Sequence, residues 1–373
     1  MKHWGKALFG MAVTVFLLWW VLKDVEYRGV LRDIAGGDFW LLGASVVVAT
    51  LGFLIRALRW KVLLTPVRED TSLRSRFAGV SIGFMANNVL PARVGEFART
   101  FALSRLEPIP ATAVFGTLVV ERFMDGVILL LFLVIPVLTP GFPAADVLQT
   151  GWGLATLRFG GALVVGILGL LVAMAAFPGQ FVAIAERFAL ILPEHPRALV
   201  LGALGGLLDS IGIMREPRLL LAAFAWSLFF WTWHGVSFWL GMLAFGIDTG
   251  FVSALFTEAV VGFGVAVPSA PGFFGTFHAA AEFALTNVYG VPETQSLAFA
   301  FAYHFGGWIP ITLIGLWFAW KLGLSLGDLG HADEEIEAQG KELEEVILEV
   351  VDGDPGGPVE RASAAAEGVA EDR

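Results

Sequence analysis

The residues best able to do chemistry in this 373-residue chain crowd around two Pro/Gly breaks in otherwise apolar sequence. The first break reads Asn87-Asn88-Val89-Leu90-Pro91-Ala92-Arg93-Val94-Gly95-Glu96, with Arg99 one turn on. Arg93, Glu96 and Arg99 recur at a spacing of three, so a helix sets them on one face. Pro91 suits the first position of a half-helix, where its missing N–H costs nothing. The free N–H groups and dipole of such a half-helix attract an anion, and an arginine adds a forked donor matched to phosphate. Glu96 can pair with Arg93 or exchange a proton; a plain Arg–Glu pair holding the bend is the blander reading. The second break reads Val267-Pro268-Ser269-Ala270-Pro271-Gly272-Phe273-Phe274-Gly275. Ser269 is placed to cap a half-helix, and Gly272 and Gly275 let backbone approach a ligand closely. His278 and Glu282 follow four residues apart, and Glu258 precedes the break. A histidine can titrate near neutrality, although His278, like His234 and His304, reads first as a hydrogen-bonded interior residue.

Two further groups accompany the breaks. Glu121 and Asp125 share a helix face with Arg122 beside them, which suits either a cation or proton site or a brace built of charge pairs. Arg56, Arg59 and Trp60 end an apolar run, where they read as anchors at the lipid headgroups or as contacts to lipid phosphate.

The elements that must position these residues are membrane helices. With 57% hydrophobic and 16% charged residues, the composition excludes an ordinary soluble enzyme. There is no cysteine, so thiol catalysis and zinc–thiolate sites are excluded as well. Runs long enough to span a bilayer lie near 6–22, 39–58, 111–138, 155–177, 219–245 and 296–320. The first follows Lys2 and Lys6 with no small-x-small cleavage pattern after it, so it reads as a retained crossing. Segments 77–106 and 252–289 contain the breaks. The expected fold is therefore an all-α polytopic membrane protein of about six crossings with two opposed broken, re-entrant hairpins. Arg56, Arg59, Lys61, Arg68, Arg74 and Arg76 after the second run, and Lys321 after the last, predict cytoplasmic N- and C-termini. Lys23, Arg28 and Arg32 run against that rule. If each broken segment dips in and returns, residues 1–140 and 150–325 form an inverted repeat. Broken backbone at membrane depth must face protein or a wet cavity, and paired breaks point to a transporter's binding site. From Asp328 onward the chain holds 15 acidic and 3 basic residues, so 326–373 is expected to be a largely disordered cytoplasmic tail. Segment 178–217 is mixed in polarity and predicts interfacial helices.

Four motifs in this order, Arg56-x-x-Arg59-Trp60, Asn88-x-Leu90-Pro91-x-Arg93-x-Gly95-Glu96-x-x-Arg99, Glu121-Arg122-x-x-Asp125 and Pro268-x-x-Pro271-Gly272-x-x-Gly275, resemble the flippase-like membrane family, the transmembrane region associated with lysylphosphatidylglycerol synthases. The resemblance covers about residues 1–325. It implies an integral membrane protein that moves lipids or lipid-linked intermediates between leaflets. Two positions depart from the family pattern: Gly272-Phe273-Phe274-Gly275 stands where Gly-Gly-Leu-Gly is usual, and His278 where a glutamate is expected. The chain stops after its acidic tail, so synthase activity is not carried over.

The expected function is a cell-membrane flippase or transporter for an anionic lipid, ion-coupled or equilibrative, and not an enzyme. Arg93, Glu96, Arg99, Asn88, Pro91, Ser269, Pro271, Gly272, Gly275 and His278 would form its substrate site. Glu121, Arg122, Asp125, Glu258 and Glu282 would form a coupling or structural charge network. Membrane lipid is the expected partner, with no metal, cofactor or nucleic acid. A membrane scaffold acting through the tail and a membrane-embedded lipid transferase are the competing classes. A metal-dependent phosphotransferase would need a repeated Asp-Gly-Ala-Arg pattern, which Asp125-Gly126 matches only remotely.

Overall fold

The computed structural model describes residues 2–139 and 217–334, apart from Asp24 and Pro268, with a few further positions. The expected crossing at 155–177, nearly all of segment 178–217 and most of the tail lie outside the described residues. The described residues form helices and connecting turns with no strand.

Helix α1 (Lys2–Leu22) is followed by a short helix α2 (Tyr27–Gly36) and the long α3 (Phe39–Leu64). Asp38 starts α3 by accepting from the backbone N–H groups of Trp40 and Leu41 at 2.9 and 3.1 Å, which satisfies donors that a helix start leaves free. Then come α4 (Leu73–Val89), a 3₁₀ turn (Pro91–Arg93), α5 (Gly95–Leu106) and α6 (Ala111–Leu138). The second described part holds α7 (Pro217–Ala244), α8 (Phe251–Gly264), a 3₁₀ turn (Pro271–Phe273) and α9 (Thr276–Glu282), which runs into one turn of π-helix (Phe283–Val288). Helices α10 (Glu293–Lys321) and α11 (Leu326–Gly330) complete it. Most of α3, α7 and α10 is long and apolar enough to cross a membrane. Helix α6 matches them in length but carries Glu121, Arg122 and Asp125.

Contacts fix the direction of each helix. The Asp38 N–H donates to the Ala244 carbonyl at 2.7 Å, Ser45 bonds Ser237, and Arg59 reaches Ser227. Helices α3 and α7 are therefore antiparallel, and their two ends can be called the Leu64 end and the Ala244 end. Helix α4 starts at the Leu64 end, and α5 returns there, since the Ser72 N–H reaches the Glu107 carboxylate at 3.0 Å. Glycines allow this tight hairpin. A Cβ on Gly83 would stand 2.7 Å from the Arg99 Cβ and the Gly95 carbonyl, and one on Gly79 would stand 3.2 Å from the Trp60 ring. Gly79-x-x-x-Gly83 is thus a small-residue stripe that lets backbones meet, as in other membrane helices. Helix α8 starts at the opposite, Ala244 end, and α9 folds back on it, with Gly264 packed on Ala280. The π-helical turn leads back to Tyr289, which packs on Phe256 near the start of α8. The two hairpins thus enter the bundle from opposite ends, α6 packing on α8 and α10 on α4.

Three positions differ from the sequence reading. Pro91 starts a 3₁₀ turn, and α5 begins only at Gly95, because Arg93 takes φ +58° and turns the chain aside. Ser269 caps no helix: positive φ at Gly272 and Gly275 delays α9 until Thr276, whose hydroxyl donates to the Ser269 hydroxyl. Beyond Lys321 the chain stays on the bundle, where Leu329 and Ala332 are buried with Ala78, Ala102 and Phe318, and Ile336 is buried as well. The start of the acidic tail is therefore packed, because its apolar residues find a partner face on α4 and α5.

Candidate functional site

Helices α3, α5 and α6 bring four arginines to two carboxylates inside the bundle. Glu121 accepts from Arg56 at 2.9 Å, from Arg99 at 2.7 and 2.9 Å and from Arg122 at 2.6 Å, and lies 3.0 Å from Arg59. Asp125, one turn further along α6, pairs with Arg59 and accepts from the indole N–H of Trp231 at 2.8 Å. Arg56 and Arg122 approach it at 3.6 and 3.4 Å. Aromatic rings seal the network. Trp60 lies under Arg99 at 3.8 Å and donates to Thr117, and Phe230 lies under Arg56 at 4.3 Å. Arg56, Arg59 and Trp60 are thus buried in this network instead of turned toward headgroups. Arg122 is the open member, its side chain 43% exposed.

The network forms one wall of a cavity of about 580 Å³. Arg56, Arg122 and Asp125 line one side, Asn87, Asn88, Arg93 and Glu96 the tip of the first hairpin, and Phe273 and Phe277 the second. Helices α7, α8 and α10 add Trp231, His234, Glu258, Tyr303, His304 and Trp308.

Arg93 joins the two hairpin tips. Its guanidinium donates to the carbonyls of Ala266 at 2.8 Å and Val267 at 2.6 Å, and to that of Val265, while its plane lies 5.1 Å from the Phe273 ring. These carbonyls lie just past the end of α8, where a helix leaves acceptors free and its dipole favours a cation. Asn87 caps the first hairpin from within, accepting from the Gly95 N–H at 2.9 Å, and its amide faces Glu96 at 3.4 Å. Asn88 donates to Thr312 of α10 at 2.8 Å.

The second hairpin is held differently. Thr14 of α1 accepts from the Ala270 N–H at 2.8 Å and donates to the Phe274 carbonyl at 2.9 Å. Gly10, one turn earlier, lies against the Ser269 carbonyl, where a Cβ would come within 2.7 Å. His278 is fully buried, packs against the rings of Phe301 and His304, and does not line the cavity. Glu282 accepts from Asn287 at 3.2 Å and does not line the cavity. Glu258 pairs with His234, Oε1 to Nδ1 at 2.7 Å.

Of the expected site residues, the structure brings Asn88, Arg93 and Glu96 to the cavity, and joins Arg99 to Glu121 behind it. Ser269, Pro271, Gly272, Gly275 and His278 shape the second tip without lining the cavity. Thr14, Trp231, Tyr303 and Trp308 were not singled out from sequence. Only Thr14 left a trace there, in the Gly10-x-x-x-Thr14 spacing of small residues.

A helical membrane protein with two broken hairpins around a charged cavity is the class this geometry defines. The chain belongs to the family described as the lysylphosphatidylglycerol synthase transmembrane region, whose model matches residues 7–315. It is 31% identical over 113 residues to the UPF0104 membrane protein MJ1595 of Methanocaldococcus jannaschii, covering 29% of this chain and 34% of that protein. It is 24% identical over 324 residues to the glycosyltransferase AglD of Haloferax volcanii, covering 79% of this chain and 51% of that protein. The chain thus spans between a third and half of the length of these relatives. No solved structure matches it.

Proposed function

We propose that the chain is a flippase that carries an anionic lipid or lipid-linked intermediate between the leaflets of the cell membrane. The observation that carries this reading is the surplus of positive charge beside the cavity. Four guanidinium groups face two carboxylates in the network, and with Arg93, Glu96 and Glu258 of the cavity lining five arginines stand against four carboxylates, a surplus of one. Buried charge is costly unless compensated, and a phosphate headgroup entering beside Arg122 supplies the compensation. The mostly apolar remainder of the lining suits the glycerol backbone and chain ends.

The two hairpins then serve as the moving parts. Helices α3 to α6 and α7 to α10 correspond as span, broken hairpin, span, and α4 on α10 is the counterpart of α8 on α6. An inverted repeat arranged in this way opens to one side and then the other as one half rocks against its partner. The arginine-rich Leu64 end would face the cytoplasm. The Arg93 clasp on residues 265–267 is the contact that must break and re-form as the tips separate.

The name of AglD favours a second reading, in which the cavity transfers a group to a lipid. Against it, Glu121 and Asp125 are occupied by arginines and are poorly placed to act as base or metal ligand.

Two measurements test the proposal: mass spectrometry of lipids retained by wild type and Arg122→Gln in native-lipid discs, and flipping of fluorescent phosphatidylglycerol and phosphatidylcholine in proteoliposomes. The expected result is anionic lipid enriched on wild type alone and faster flipping of phosphatidylglycerol. Identical bulk lipid on both proteins and no flipping above empty vesicles would refute it.

A further inference from the structure

We propose that Glu258 and His234 form a proton site whose occupancy is tied to that of the cavity; this rests on the lipid-transport reading and names its coupling ion. Glu258 sits in the middle of α8, almost entirely buried. Its Oε1 meets His234 Nδ1 at 2.7 Å, while Oε2 has no hydrogen-bond partner among the described residues. That free oxygen is pressed against Gly235 of α7, where a Cβ would come within 3.0 Å. An ionised carboxylate with one oxygen buried and unpaired among the described residues is poorly solvated, whereas a carboxylic acid in the same place loses far less. His234 is 28% exposed and lines the cavity beside Glu258, so through Oε1 it links the carboxyl to the water-accessible space. The pair can pass a proton from the cavity through His234 to Glu258 without moving a helix.

The surroundings make this site responsive to an anion. Helix α6 presents Asp125 and Arg122, and Trp231 bridges from Asp125 toward His234, their rings 6.1 Å apart. Helix α10 contributes Tyr303 and His304, α3 contributes Arg56, and the first hairpin tip contributes Arg93 and Glu96. On the α9 side His278 meets His304 edge to face at 5.1 Å and lies behind the wall. A headgroup drawn in by the cations would place negative charge in the same cavity as Glu258. Like charges in one cavity disfavour each other, so the anion and a proton on Glu258 enter together. Linkage is reciprocal: protonating Glu258 raises affinity for the anion by the factor with which the anion favours the proton. No bond other than O–H forms or breaks, and charge moves as one anion with one proton.

The test uses the full chain in lipid discs. Infrared difference spectra are recorded against pH with ¹³C-labelled glutamate, and binding of dihexanoyl phosphatidylglycerol, whose phosphodiester does not titrate in the working range, is followed with proton uptake. The expected result is a glutamic-acid carbonyl band that titrates and is missing from Glu258→Gln. Affinity for the short lipid should fall about tenfold per pH unit once the site ionises, with about one proton taken up per lipid, and should be independent of pH in Glu258→Gln. Lipid binding with the same flat pH profile in both proteins overturns this inference and leaves the flippase reading standing. Lipid that binds neither protein overturns the flippase reading, while a wild-type band that does not move with pH overturns the proton site directly. Because that band is read on wild type, the outcome does not depend on the variant folding.

Discussion

Glu121→Gln should damage this protein more than any other single charge substitution in the cavity wall, and the reason is the number of partners. One carboxylate, itself fully buried, lies within 3.0 Å of Arg56, Arg59, Arg99 and Arg122. At an effective dielectric of about 20, one charge pair at about 4 Å is worth about 4 kcal/mol. Much of that is offset by the cost of stripping water from both groups, and removing one partner of a buried pair typically costs about 3–5 kcal/mol. In this protein the loss leaves Arg56, Arg59 and Arg122 to share Asp125 and takes from Arg99 the carboxylate it contacts, so the cost should lie near the upper end, about 5 kcal/mol. Folded proteins hold only about 5–15 kcal/mol in reserve, so the variant should be barely folded at room temperature. Arg122→Gln is the internal control, because its side chain is 43% exposed and exposed pairs contribute about 0–1 kcal/mol. Intrinsic tryptophan fluorescence during unfolding in mild detergent reads both, since Trp60 and Trp231 touch the network. If Glu121→Gln unfolds within about 1 kcal/mol of wild type, the carboxylate is not the hub of the network and the reasoning fails.

Three other outcomes are expected. Gly83→Ala forces a methyl into the Arg99 Cβ and the Gly95 carbonyl, and should cost about 1–3 kcal/mol, whereas Gly43→Ala, with open space around it, should be neutral in the same thermal melt. Arg93→Ala releases three carbonyls past the end of α8, so the tips should separate; spin labels on Leu90→Cys and Ala266→Cys, introduced into a chain without native cysteine, should report longer and broader distances than in the Arg93 background. Hydrogen bonds from the Ser325 backbone N–H and then its hydroxyl hold the Asp328 carboxyl below its usual range. A depressed carboxyl adds stability that is present at neutral pH and lost as pH falls through its folded value. Protection factors over 325–334, taken relative to the intrinsic exchange rate at each pH, should therefore fall on acidification, and Asp328→Asn should show low protection at both pH values.

The amino-acid sequence alone determined the class of fold and the location of the two breaks. Apolar runs of 20 or more residues leave a chain few options besides membrane helices, and the helices observed at Phe39–Leu64, Ala111–Leu138, Pro217–Ala244 and Glu293–Lys321 follow those runs closely. Pro91 and Pro271 with their neighbouring glycines interrupt helices by local chemistry, so the broken segments were also legible. Which charges meet was not. Arg56 and Arg59 follow an apolar run in the manner of interfacial anchors, and only the antiparallel packing of α3, α5 and α6 turns them onto Glu121 and Asp125. Spacing placed Arg93 on a face with Glu96, yet its positive φ aims the guanidinium across to carbonyls more than 170 residues away. The pairing of His234 with Glu258 is likewise tertiary, because two helices must cross before a histidine and a glutamate 24 residues apart can share a proton. Helical periodicity acts over a few residues, whereas this cavity is assembled by contacts across most of the chain, and that is why its lining was decided by the tertiary structure.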